Sequence, residues 1–151
     1  MKEKVATAKL ERQVIKSMRN WLERAGFFEI FPPKIVRASG ACENIDTLFE
    51  VGVDGNFYWF KSEKPHKAYL SQTAQLYLES FVPYFKKVYS VGPSFRAEPG
   101  NDNRHLTEFT MLEIEFAGGF KELLRYIERV IYKVVKDILN LPAKMKKRVG
   151  A

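Results

Sequence analysis

The sequence predicts an α+β fold in which an antiparallel sheet is flanked by helices. Two long segments, residues 8–25 and about 120–140, repeat apolar residues at three- and four-residue spacing, the pattern of amphipathic helices. Between them lie short apolar runs separated by turn-forming residues, which favours hairpins. The order reads helix, strands, helix, antiparallel strands, helix.

The first helix carries Leu10, Val14, Met18, Trp21, Leu22 and Ala25 on one stripe, and Gly26 suits a left-handed stop. Phe27 to Phe31 reads as a short strand ended by Pro32-Pro33, which cannot continue a ladder. Val36 to Asp46 reads as irregular, with Ser39, Gly40 and Asn44 as breakers. Leu48–Val53 and Phe57–Lys61 form a predicted hairpin around Asp54-Gly55. Ser71 occupies an N-cap position ahead of a helix through Gln75, Leu76, Leu78 and Glu79. Lys87 to Gly92 and Phe95 to Glu98 read as two strands, and residues 106–116 as the longest. Gly118-Gly119 breaks the chain before the last helix, whose stripe is Leu123, Leu124, Ile127, Val130, Ile131, Val134, Ile138 and Leu139, with Pro142 as its stop.

The 151 residues suit one domain, and 46% apolar content supplies a core, which excludes a disordered or low-complexity chain. No run of eighteen apolar residues and no leader-like N-terminus occurs, so the expectation is a cytoplasmic domain with no membrane partner. One cysteine, Cys42, excludes an intramolecular disulfide and by itself builds no zinc site; packing is its expected role. Of the net charge of +7, Lys144, Lys146, Lys147 and Arg148 supply four, so a core over residues 1–142 precedes a basic tail over 143–151. Neither GxGxxG nor GxxxxGK[ST] is present, which argues against a Rossmann or P-loop enzyme.

The segment Ser94 to Phe116 carries the chemistry. Side chains alternate along a strand, so Arg96 and Glu98 share one face of the first strand. On the second, Thr107, Phe109, Met111, Glu113 and Glu115 share a face, while Leu112, Ile114 and Phe116 point to the opposite, core-seeking side. An aromatic ring among carboxylates, opposite an arginine, is unusual for a solvent face. A guanidinium fork suits phosphate, and a phenyl ring offers a stacking surface for a base. The structural alternative is a set of cross-strand ion pairs, each worth roughly 0.2–1 kcal/mol.

This segment resembles motif 2 of the class II aminoacyl-tRNA synthetases, aspartyl/asparaginyl subgroup. Phe95-Arg96-Ala97-Glu98 and Arg104-His105-Leu106-Thr107-Glu108-Phe109, with Glu113 as a downstream acid, match that pattern over about residues 94–116. Gly26 to Pro33 resembles motif 1, which would span about 8–33 and form a dimer interface. Leu70 to Glu79 resembles the amino-acid-site segment, and the likeness extends over roughly residues 8–140.

The resemblance implies a partial class II synthetase-type fold and roles for single residues. Arg96 would grip the ATP α-phosphate and act catalytically by stabilising charge. Glu98 would accept from the adenine amine, Phe109 would stack on adenine, and Arg104 and His105 would lie near the β- and γ-phosphates. Gln75, Glu113 and Ser71 would hold the amino acid, although Ser71 serves equally as a helix cap. His66 has no comparable context.

Departures from the family pattern shape the expected function. The anticodon-reading domain, motif 3 and the acidic Mg²⁺ ligands before it are not found in the sequence, which implies a stand-alone paralogue, a fragment or one half of a split protein. Leu78 stands where aspartyl enzymes carry a lysine, and Ser39 stands where an acid usually precedes Gly-Ala, here Gly40-Ala41. The closest implied relatives are asparaginyl-tRNA synthetase and the archaeal asparagine synthetase paralogues. The expected activity is ATP-dependent activation of aspartate to an adenylate, with aspartate or asparagine as ligand, a homodimer as assembly and a separate C-terminal half as a further partner. The alternatives are a non-catalytic dimerising paralogue, and tRNA binding through the tail and the positive charge, which predicts steep salt dependence.

Overall fold

The computed structural model describes residues 1–38, 44–52, 58–59, 62–100 and 105–141. The chain divides into two compact units. One holds Met1–Phe28 with the segment from Ala117 onward, and the other holds Glu29–Phe116.

In the first unit, helix α1 spans Lys2–Arg24 and α3 spans Phe120–Leu139. The start of α1 precedes the predicted one because residues 2–9 are mostly lysine, glutamate and alanine, strong helix formers without an apolar stripe. Its end is a paired C-terminal lock. Gly26 adopts φ 85°, its N–H donates to Glu23 O (3.0 Å), and the Phe27 N–H donates to Leu22 O (3.0 Å). Phe27 is buried and meets Tyr126 edge-on at 5.1 Å. The buried Ser17 hydroxyl donates to Asp137 (2.7 Å), which also pairs with Lys133.

The predicted stripe of α3 is corrected in part. Val130, Val134 and the unpredicted Tyr126 are buried, whereas Leu124, Ile127, Ile131 and Leu139 are exposed. Both faces of this helix carry apolar residues, so spacing alone could not select the inward one.

In the second unit, β5 (Lys87–Phe95) and β6 (Glu108–Phe116) pair in a sheet ordered β1-β5-β6, whose short first strand, β1 (Phe28–Glu29), falls at the unit boundary. A smaller sheet is ordered β2-β4-β3, from Ile35–Val36, Ala68–Leu70 and Glu50–Val51. A single 3-10 turn, Ile45–Thr47, precedes β3, and α2 spans Gln75–Phe85. Here β3 pairs with Ala68–Leu70, a strand too short to show a period in the sequence. The predicted turn at Asp54-Gly55 lies outside the described residues, as do Cys42, Ser39, Arg104, Pro142 and the basic tail.

The two strands predicted at 87–92 and 95–98 are one strand, β5, running through Gly92-Pro93. Odd-numbered residues of β5 direct their backbone groups away from β6. Tyr89 O accepts from Ile30 N (2.8 Å), and Phe95 N donates to Ser71 O (3.1 Å). Pro93 belongs to this series, so its missing N–H removes no rung of the β5–β6 ladder.

Helix α2 packs on one face of the sheet. Its Leu78 (0% exposed) joins Ile30, Ala74 and Val88 in a buried cluster edged by Phe81 and Val82. On the opposite face Tyr89 is fully buried, but Leu112, Ile114 and Phe116, expected to seek the core, are only half-buried. No helix among the described residues is long and apolar enough to cross a membrane.

Candidate active site

The β5–β6 register puts Val88, Ser90, Gly92 and Ser94 opposite Glu115, Glu113, Met111 and Phe109. Partners directly across a ladder share a face. The predicted alternation of β6 therefore holds, and α2 covers the Val88–Glu115 end of that face. At the other end the strands open into a cleft of about 310 Å³ lined by Arg96, Glu98, His105, Leu106 and Phe109.

Arg96 lies just beyond β5, where its N–H donates to Thr107 O (2.9 Å) and extends the ladder by one step. Its guanidinium carbon sits 5.5 Å from the centroid of the Phe109 ring. Arg96, Glu98 and Phe109 are half-buried, while His105 and Leu106 are exposed. The structure thus gathers four of the five predicted nucleotide residues into one cleft. The fifth, Arg104, is outside the described residues. Leu106 was not predicted; it lies between matched residues, and its only sequence signal is that position.

Glu113 is four residues along β6 from Phe109, roughly 14 Å away at ~3.4 Å per residue. Its carboxylate accepts the Ala74 N–H at both oxygens (2.9 Å each) and the Thr73 hydroxyl. It thereby anchors the first turn of α2 and supplies the negative charge that a helix N-terminus favours. Gln75 opens that helix. Its backbone N–H donates to Thr73 Oγ1 (3.1 Å), and its side-chain amide donates to Glu79 (2.9 Å). Glu113 and Gln75 are therefore joined through Thr73 and Ala74, as a cluster separate from the arginine cleft.

Ser71 does not cap α2, whose N-cap residue is Ala74. The Ser71 side chain is buried and its hydroxyl donates to Thr73 O (2.7 Å), because the helix starts later than the serine suggested. Ser71 and Thr73 instead line a second cleft with Pro32, Pro33 and Leu76.

Lys34 was also not predicted. A Cβ on Gly92 would stand 3.0 Å from its ammonium nitrogen, so the missing side chain leaves room for the lysine above the sheet. Burial pulls the Lys34 pKa below the ordinary lysine value, and nearby Glu113 opposes that pull. Glu115 is displaced upward, first by burial and then by the carboxylates of Glu79 and Glu113.

The Glu115 shift has a readable sign. A carboxyl that holds its proton more tightly when folded carries no penalty below its unfolded pKa and loses stability as pH rises toward the folded one. Glu115→Gln is therefore expected to raise the melting temperature at pH 7 and leave it unchanged at pH 3. Thermal melts by circular dichroism at both values check this, and equal shifts at the two would refute it.

Chemically, the cleft joins a phosphate-type fork, a stacking ring, a carboxylate acceptor and an imidazole. Among the described residues, no three His, Cys, Asp or Glu side chains are grouped to hold a metal ion.

Comparison with known proteins gives one consistent result. The family described as tRNA synthetases class II (D, K and N) matches residues 1–149. An asparagine–tRNA ligase from Thermococcus gammatolerans is 39% identical over 134 residues, covering 88% of this chain and 28% of that protein. An aspartate–tRNA(Asp/Asn) ligase from Thermus thermophilus is 34% identical over 148 residues, covering 97% of this chain and 32% of its own length. The crystal structure of asparaginyl-tRNA synthetase from Pyrococcus horikoshii complexed with asparaginyl-adenylate superposes with a TM-score of 0.82 at 37% identity, over 98% of this chain and 31% of that one. The chain spans about 30% of the length of these relatives. With this match over nearly all its residues, the chain belongs to the class II tRNA synthetases of the aspartyl, lysyl and asparaginyl group.

Proposed function

We propose that this chain carries the nucleotide-gripping part of an adenylate-forming site, and that the site activates aspartate. The observation that carries the reading is the Arg96 guanidinium over the Phe109 ring in a cleft shared with Glu98 and His105. In this reading Phe109 stacks on adenine, Glu98 accepts from its amine, and Arg96 holds the α-phosphate, with Arg104 and His105 toward the β- and γ-phosphates. The amino-acid carboxylate oxygen attacks the α-phosphorus. The bond to the bridging oxygen breaks, and pyrophosphate leaves with its electron pair. The protein contributes position and fixed charge, as such transfers require.

The Glu113–Thr73–Gln75 cluster would take the amino acid. Glu113 already accepts from Ala74 and Thr73, and a further lone pair would receive the substrate ammonium. Mg²⁺ would neutralise phosphate charge during the transfer. A homodimer in the cytoplasm belongs to the same proposal. Asparagine as substrate is the second reading, favoured by the asparaginyl-adenylate in the Pyrococcus complex.

The test is calorimetric binding of ATP to this chain, with ATP–pyrophosphate exchange run separately with aspartate and with asparagine. Exchange is compared with a version extended through a motif 3 segment. ATP binding by the chain, and exchange with one amino acid in the extended version, is the expected result. If neither version binds ATP, the non-catalytic reading replaces this one.

A further inference from the structure

Three successive backbone amides around Arg96 are fastened to three different segments. Phe95 N–H donates to Ser71 O (3.1 Å), Arg96 N–H to Thr107 O (2.9 Å) and Ala97 N–H to Thr47 O (2.8 Å). Two of these anchors, Ser71 and Thr47, meet at Gln72. Its side chain is 1% exposed, and its amide nitrogen donates to Thr47 Oγ1 (2.8 Å) and Asn44 O (3.0 Å). Its own backbone oxygen accepts from the buried Ser94 hydroxyl (2.6 Å), and Ser94 is the cross-strand partner of Phe109. Gln72 Oε1 is buried and makes no hydrogen bond among the described residues, so the side chain is held for its donors.

A buried glutamine spending both donors on one turn, 25–28 residues distant in sequence, is an expensive arrangement for packing alone. We propose that Gln72 is a positioning residue for Arg96. It clamps the Asn44–Thr47 turn so that Thr47 O holds Ala97, while its neighbour Ser71 holds Phe95. The guanidinium then leaves a backbone fixed on both sides, at the place where the adenylate reading needs a phosphate grip. Gln72 touches no substrate, and the inference rests on that reading for its functional consequence but not for its structural one.

Gln72→Met keeps the volume and removes both donors. In the full chain, hydrogen exchange followed by mass spectrometry is expected to accelerate at residues 95–98 and to stay unchanged in α3. ATP affinity is expected to fall about tenfold, the scale on which a small misplacement of a fixed group acts, while affinity for adenosine, which lacks phosphate, stays unchanged. Thr47→Val keeps the volume and removes the hydroxyl that accepts from Gln72 and donates to Asn44 O (3.0 Å); it is expected to give the same split at smaller size, and it carries the test if Gln72→Met does not fold. Equal losses for ATP and adenosine, or no change in exchange at 95–98, would overturn the proposal. A wild-type chain that binds neither ligand sinks the adenylate reading instead, and exchange at 95–98 still decides whether Gln72 holds the arm.

Discussion

Arg96→Ala is expected to weaken ATP binding about 100-fold, the scale of losing a charge-assisted, bidentate phosphate donor in a half-buried cleft. The loss should fall on the phosphates. Adenosine, which the adenylate proposal assigns to Phe109 and Glu98, should bind the variant nearly as well as the parent. Arg96→Lys restores charge but not the planar fork, so it should recover only part of the affinity. Calorimetry with ATP and adenosine on the three proteins checks this. Equal affinity of the parent and Arg96→Ala for ATP would show that the guanidinium over the Phe109 ring is a structural cation–π contact, worth about 0.5–1 kcal/mol when exposed, and no more. Melting curves guard against the trivial explanation. Arg96 lies outside the buried cluster at Leu78, so removing its side chain should leave the fold intact.

The largest expected loss of stability comes from Leu78→Lys. The family pattern puts a lysine at this position in aspartyl enzymes, so the change looks like a switch of substrate preference. The structure makes it a core mutation instead, because Leu78 is 0% exposed among Ile30, Ala74 and Val88. An ammonium there either loses its proton or stays charged without water, and either course is expected to cost more than about 3 kcal/mol. The buried lysine would have a depressed folded pKa. Its penalty is therefore largest at low pH and shrinks as pH rises toward the unfolded lysine value. Urea unfolding at pH 6 and pH 9 measures both effects. Leu78→Met, similar in volume and still apolar, should cost less than about 1.5 kcal/mol. If Leu78→Lys unfolds at the same urea concentration as the parent at both pH values, the side chain has found a route to solvent and the core assignment is wrong.

The two results bear on each other. Leu78 belongs to a hydrocarbon core under α2, and Glu113 is tied to the first turn of that helix. Seating a lysine at position 78 would require rebuilding the packing of α2 on β5, not only exchanging one side chain.

Much of this was legible in the sequence. The period-2 alternation of residues 107–115 predicted one face bearing Phe109 and Glu113, and the register of β6 against β5 puts them there. Local geometry explains that success, since successive strand residues point to opposite sides whatever they pack against. The glycine stop of α1 was readable for a similar reason: a left-handed residue after a helical stripe is a property of a few neighbouring residues. The meeting of Arg96 and Phe109 was also foreseeable, once the two strands were joined as a hairpin.

Other features had no local signal. The exposed face of α3 and its buried Tyr126 differ in nothing that spacing records, because apolar residues occur on both sides of that helix. Ser71 has the chemistry of a cap, but Glu113, some 40 residues further along, supplies the acceptor for α2. Gln72 reads as an ordinary polar residue before a helix, yet it is buried against Thr47 and Ser94. In each case the deciding contact joins segments that only packing brings together. Order along the chain dictated the elements and the faces of their side chains, since those follow from backbone geometry over a handful of residues. Which polar groups became buried, and what they hold in place, was settled when distant segments closed on one another and left no water to satisfy them.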